Sequence, residues 1–433
     1  MDTGHSRVMR SSILSDELVR QLVPVGQVDI VVGLPTMNNA ATVEPVVTAI
    51  HAGLARHFPL ERTVLISPDG GSDDGTPAIV RGAPLAYEEL RGSKSLRTTH
   101  RVSAPFDGVL DRSGGVRTVF AAADLLQACA IVVFSPDITS LTPDWVAELV
   151  HPVWKDGLDL VLPIHPRHRF DGPLLHQLVR PLLGAAYRRR LRADLAGHFA
   201  CSGKLAARMS SHPLWQRDVS RPSFETSLVA TGLALNLAVA QVHLGPCRFA
   251  PRATGPSLSE LFQDVVGAAF ESLEGNAPDW LTRDAAPDVP VFGTPAVLEG
   301  PEPVIDLAAM AERFTAGVRD LDPLLREILS PETCVRLKAV THTGEGVRSF
   351  SDALWVHVVY EFAAAHHHAV MNRVHLAQAL VPLYLGRAAS FISDMTAADD
   401  AAIESRIEAL ELEFKASRSH LVERWNSEGG SGR

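Results

Sequence analysis

Residues 28–35 read VDIVVGLP, a run dominated by β-branched residues that closes on Gly33, Leu34 and Pro35. A run without polar alternation suits a strand covered on both faces, as in a parallel sheet. Upstream, residues 12–23 carry the spacing of a short amphipathic helix, and downstream residues 41–57 repeat apolar positions at helical intervals. RTVLISPDGGSDDGT (62–76) is a second strand that runs into a Gly/Asp-rich turn. Residues 115–128 predict a helix, AIVVFSPD (130–137) a third buried strand with an acidic end, and LDLVLPIH (158–165) a fourth. Strand, helix, strand in this order predicts βαβ units and an α/β, Rossmann-like, doubly wound and mostly parallel sheet. Ligands of such sheets sit beyond the carboxyl ends of the strands, and Pro35, Asp69 and Asp137 all fall at such ends.

The rest of the chain divides by composition. Residues 172–275 read as mainly helical with turns. DAAPDVPVFGTPAVLEGPEP (284–303) is rich in Pro and Gly and reads as a linker. From 304 to 425 the periodicity is helical throughout, which predicts a separate all-helical domain, and 426–433 reads as a flexible tail. The expected partition is therefore an N-terminal helix within 1–25, an α/β domain over 26–283, the linker, the helical domain and the tail.

With 433 residues, 46% apolar and 21% charged, the chain has ample material for a large core and length for two or three domains. A net charge of −10 argues against nucleic acid as a partner. Cys129, Cys201, Cys247 and Cys334 are widely spaced with no CxxC pair, which fits free thiols in a reducing compartment better than a zinc or redox motif. The N-terminal stretch lacks the apolar core of a signal peptide, and no apolar run is long enough to span a bilayer, so a soluble cytoplasmic protein is expected.

Three segments together carry a resemblance: VVGLPTMNNAATV, SPDGGSDDGT and VVFSPDITSLTPDW. In order and spacing they resemble the nucleotide-binding strands of GT-A glycosyltransferases, the third looking like the strand that bears the family's DxD metal motif. Over residues 26–275 the chain resembles the mannosylglycerate and glucosylglycerate synthase group, whose members also carry C-terminal helices. The resemblance implies a GT-A fold and transfer of a hexose from a nucleoside diphosphate sugar to a small hydroxylated acceptor such as glycerate, with retention of configuration. It implies a divalent cation, Mg2+ or Mn2+. Residue by residue, it places Pro35, Thr36, Asn38 and Asp69 on the nucleoside, Asp137 on the metal, Arg112 where the family has a phosphate-binding Lys, and His198 and Glu225 on the acceptor side.

The departures bear on chemistry. The DxD motif reads Ser135-Pro136-Asp137, and the family's metal-binding His falls near Phe249. One carboxylate with phosphates and waters holds Mg2+ loosely, so cation binding is weak or lost. Arginines could share the charge: Arg112, with Arg117, Arg248 and Arg252 nearby, against the plain alternative of solvated surface residues. For Asp69 the alternative is an Asx-turn or helix cap, and Asp73 and Asp74 read as turn and cap residues. His198 stands where the family has an acid, and neutral His accepts one hydrogen bond only. Lys204 either meets an anionic acceptor or faces water. His366, His367 and His368 point in three directions on one helix and make no facial metal site. Two functions thus stand: a glycosyltransferase, and a catalytically degenerate homologue that binds nucleotide sugars or acts through a partner at its helical domain; in either case the helical domain is also a candidate surface for a homo-oligomer.

Overall fold

A computed structural model of the chain describes residues 13–83, 100–105, 114–216, 219–251, 256–298, 304–342, 347 and 350–427. The strand-forming runs come out short and deeply covered. β1 (Ile30–Gly33), β2 (Thr63–Asp69) and β4 (Ala130–Val133) are buried at every position, as unalternating apolar runs require. β3 (His100–Pro105) pairs parallel with β2, and β1 lies parallel between β2 and β4. β5 (Leu160–Ile164) and β7 (Val239–His243) are parallel neighbours, and β6 (Phe199–Ser202) fits between β4 and β5 antiparallel to both. Among the described residues the sheet has eight strands in the order β3-β2-β1-β4-β6-β5-β7-β8. The sheet is mostly parallel, with β6 the one reversed strand among those described.

The reversed strand positions the site. Val133 at the carboxyl end of β4 pairs with Phe199 at the start of β6, so the loop that enters β6 arrives at the edge where the parallel strands end.

Helices cover both faces. α1 (Asp16–Leu22) precedes the sheet, within the expected 12–23. On one face, α2 (Val43–His57) and α5 (Pro143–Trp154) bury Val46, Ile50, Trp145 and Val150 against Ile30, Val32 and Val132. α3 (Thr76–Gly82) follows the β2 turn. On the other face, α4 (Gly114–Leu125) sets Val119 and Phe120 against Val31 and Val133. α6 (Arg180–Ala186), α7 (Gly203–Ser210) and α8 (Arg221–Ala234) join that side, with Ser202 and Ser220 accepting hydrogen bonds from first-turn N–H groups of α7 and α8. α9 (Leu258–Gly275) starts on a Ser257–Glu260 capping box and runs into the short α10 (Ala277–Leu281).

Two expectations change. The stretch 172–275 contains β6 and β7 as well as helices. The Pro/Gly-rich 284–303 contributes β8 (Val291–Phe292), a parallel edge strand on β7.

The C-terminal region is all helical: α11 (Leu307–Asp320), α12 (Asp322–Ile328), α13 (Pro331–His342), α14 (Asp352–His367), α15 (Arg373–Met395), α16 (Asp400–Ala416) and α17 (Arg418–Asn426). It does not stand apart. Phe314, Trp355, Tyr360, Leu383 and Phe414 share one apolar cluster with Leu182, Tyr187, Phe262 and Trp280 of the α/β region. His366 packs on Phe270, His367 stacks on Trp425, and His368 meets the Arg424 carbonyl, so the three diverge as helical geometry demands. Among the described residues, no helix is long and apolar enough to cross a membrane.

Candidate functional site

Pro35 ends the first strand's run, and Thr36 extends its pairing with the second by one bridge to Asp69. The Thr36 N–H donates to the Pro68 carbonyl at 2.9 Å, and the Gly70 N–H donates to Thr36 O at 2.8 Å. Asp69 is only 4% exposed. Its Oδ1 accepts from Thr36 Oγ1 (3.0 Å) and Ser72 Oγ (2.7 Å), and its Oδ2 from the N–H groups of Gly71 (3.1 Å) and Ser72 (2.8 Å). Four donors match the capacity of a carboxylate. Asp69 therefore holds the shape of the turn, as an Asx-turn does.

The two turns clasp each other. Asn38, exposed and in the left-handed region at φ 53, donates its N–H to Ser72 Oγ and accepts from the Asp73 N–H at Oδ1. Asp74 accepts from Ala40 N–H with one oxygen and from Thr76 N–H and Oγ1 with the other, fixing the entry to α3.

The same first loop reaches the third strand end. Asn39 Nδ2 donates to Asp137 Oδ1 at 2.7 Å, and Thr42 Oγ1 donates to that oxygen at 3.2 Å. Pro35, Asp69 and Asp137 thus lie on one continuous rim. Asp137 also meets the segment after β7: its carbonyl accepts from Ala250 N–H at 2.9 Å, and Ile138 bridges Phe249. The phenyl group of Phe249 is 45% exposed. Ser135 is buried. Arg248 is exposed and tied by its backbone to Thr139 and Ser140. Arg117 donates to the Ser210 carbonyl and lies over Trp215, so it serves packing. Lys204 is exposed at the start of α7. Arg112 and Arg252 lie outside the described residues.

Glu225 and His198, the residues expected on the acceptor side, lie beside Gly197, which takes φ 75. Its N–H donates to Glu225 Oε2 at 3.1 Å, and its carbonyl accepts from Arg221 Nη2 at 2.5 Å. Arg221 Nε is 3.5 Å from Glu225 Oε1, an i,i+4 pair on α8. A Cβ on Gly197 would lie 3.7 Å from the Ser135 Cβ, so this loop rests on the acidic turn. Burial raises the Glu225 pKa, while Arg221 and the Gly197 N–H pull the other way.

His198 is 1% exposed, between Phe134 and Trp145. Its Nδ1 lies 3.0 Å from the Ala196 carbonyl and its Nε2 2.7 Å from His165 Nε2. Burial holds its pKa well below the ordinary value. Both ring nitrogens face groups inside the fold, Nδ1 a carbonyl and Nε2 a second imidazole.

Sequence reasoning passed over Asn39, Thr42, Arg221 and His165. Each had a signal. Asn39 and Thr42 follow Asn38 in the same loop, Arg221 precedes Glu225 by one helical turn, and His165 directly follows β5, as Asp69 closes β2 and Asp137 lies in the turn after β4.

No family model matches the chain, and no curated protein does. Among solved structures it is similar to glucosyl-3-phosphoglycerate synthase from Mycobacterium tuberculosis. In the complex with phosphoglyceric acid the identity is 23%, over 60% of this chain and 85% of that one, with a TM-score of 0.41. In the complex with Mn2+, uridine diphosphate and phosphoglyceric acid the figures are 22%, 59%, 82% and 0.41. In the complex with Mg2+ and uridine diphosphate they are 21%, 60%, 84% and 0.40.

Proposed function

We propose that this chain is a glycosyltransferase that takes a hexose from a nucleoside diphosphate sugar and passes it to a small hydroxylated acceptor of glycerate type, with retention. The observation that carries this reading is the Asn39–Asp137 hydrogen bond, which joins the third strand end to the two turns already clasped at Thr36 and Asp69. A continuous polar rim at the carboxyl edge of a doubly wound sheet is where such folds seat nucleotides.

In this reading Pro35, Thr36 and Asn38 line the nucleoside seat, whose contour Asp69 maintains. Asp137 faces the diphosphate, and Arg112 adds charge there. Glu225, with Arg221, sets the Gly197 loop against the acceptor, and His198 supports that loop from beneath rather than moving a proton.

Mg2+ or Mn2+ takes oxygen ligands, and this rim offers it the Asp137 carboxylate, already oriented by Asn39 and Thr42. Buried Ser135 and the Phe249 ring add no comparable donor, so the cation binds together with the diphosphate rather than ahead of it. When bound, it supplies positive charge to the leaving diphosphate.

The Phe249 ring beside Asp137 also favours a second reading, a homologue that binds the nucleotide sugar without transferring it. Turnover of UDP-glucose and GDP-mannose with Mn2+ and glycerate or 3-phosphoglycerate decides between them. The first reading expects release of nucleoside diphosphate by wild type and its loss in Asp137→Ala. Equal release by both proteins would remove Asp137 from the reaction. Saturable nucleotide binding without release would establish the second reading.

A further inference from the structure

We propose that His165, His198 and Cys247 form a site for one Zn2+ ion, distinct from the Asp137 rim. Three adjacent strands in the order β6-β5-β7 each supply one ligand at the same edge of the sheet. His165 follows β5 directly, His198 directly precedes β6, and Cys247 lies in the loop after β7. One ring nitrogen of each histidine and Cys247 Sγ all lie within 4.8 Å of one another.

The tautomers make the case. His165 Nδ1 is 2.7 Å from the Gly245 carbonyl, and His198 Nδ1 is 3.0 Å from the Ala196 carbonyl. A carbonyl only accepts, so both Nδ1 atoms carry the proton. In the neutral rings both Nε2 atoms then present bare lone pairs, and they face each other at 2.7 Å. Two acceptors at that distance repel unless a cation lies between them. The arrangement is also the one metal-bound histidines adopt, with the far ring nitrogen donating to a backbone carbonyl and fixing the ring.

Trp145 covers both imidazoles, with ring centroids at 4.9 and 5.4 Å, and Phe134 stacks on His198. These rings keep water from the imidazole faces, and the Asp194 carboxylate, which accepts from the His165 backbone N–H at 2.9 Å, adds negative charge beside the site. Two imidazoles and a thiolate are the donors Zn2+ prefers, at about 2.0–2.1 Å to nitrogen and about 2.3 Å to sulfur. A tetrahedral site needs the two nitrogens roughly 3.3 Å apart, a small opening of the present pair. The thiol proton of Cys247 passes to solvent on binding.

The full chain, incubated with ZnCl2, desalted and assayed by elemental mass spectrometry, should retain one zinc per molecule. Cys247→Ser and His165→Gln should bind at least ~100-fold more weakly, beyond what loss of a supporting contact alone costs, while Asp137→Ala retains the ion. Co2+ loading of the wild type should give a thiolate-to-cobalt charge-transfer band, a readout that stands even if a variant fails to fold. Failure of the wild type to retain zinc would overturn the site. So would equal retention by folded Cys247→Ser and His165→Gln, or a cobalt spectrum without the thiolate band.

Discussion

Asp69 and Glu225 are both buried carboxylates, and their surroundings set them opposite tasks. Asp69 collects four donors from its own turn and from Thr36. Replacing it with Ala strands buried N–H and hydroxyl groups, so the unliganded protein should lose about 2–3 kcal/mol in urea denaturation. Unchanged stability with lost nucleotide binding would instead make Asp69 a direct ligand. Glu225 has a pKa raised by burial against the opposing pull of Arg221. Folding therefore favours its protonated form. That contribution is present in acid and is lost as pH rises from the ordinary carboxylate range through the raised folded value. Glu225→Gln, fixed in the neutral state, should melt higher than wild type at neutral and alkaline pH, with the gap closing in acid. A gap independent of pH would contradict the assignment.

At the scale of elements, close approach is enforced by small residues. Where α11 crosses α15, a Cβ on Gly386 would lie 2.4 Å from the ring of Phe314, itself fully buried. Gly386→Ala should cost about 1–3 kcal/mol by overpacking, read as a lower denaturation midpoint; an unchanged midpoint would mean that the helices slide apart freely. Legibility follows the same logic. VDIVVGLP, VLIS and AIVVF could be read because strands covered on both faces leave unbroken apolar runs. FACS and VAQVH could not: four or five residues between helices show no period of their own, and β6 is a strand only because β4 and β5 flank it. The rim residues at strand ends were legible by position. The His165–His198 contact was not, since it joins residues 33 apart through the sheet.

For the whole molecule, the helical periodicity beyond residue 304 suggested a separable unit, yet the contacts tie it inward. Arg387, fully buried, donates through Nε to Gln177 Oε1 at 2.9 Å and through Nη1 to the Phe350 carbonyl at 3.0 Å, and pairs with Asp352 at 2.6 Å. Trp355 Nε1 donates to the Gln177 carbonyl at 2.5 Å. With this anchor and a shared apolar cluster, the chain should melt in a single calorimetric transition. Two well-separated transitions would show independent units. Arg387→Met should cost about 3 kcal/mol by leaving Asp352 less compensated inside the fold.

Whether the rim from Pro35 to Asp137 seats a nucleoside diphosphate is decided by calorimetric titration of UDP and GDP in the presence and absence of Mn2+. A nucleotide seat on this rim requires saturable binding of one of them with Mn2+, weakened at least ~10-fold by removing Mn2+ or by Asp137→Ala, a loss of about 1.4 kcal/mol. Absence of binding by either nucleotide, or binding indifferent to Asp137→Ala, would contradict it.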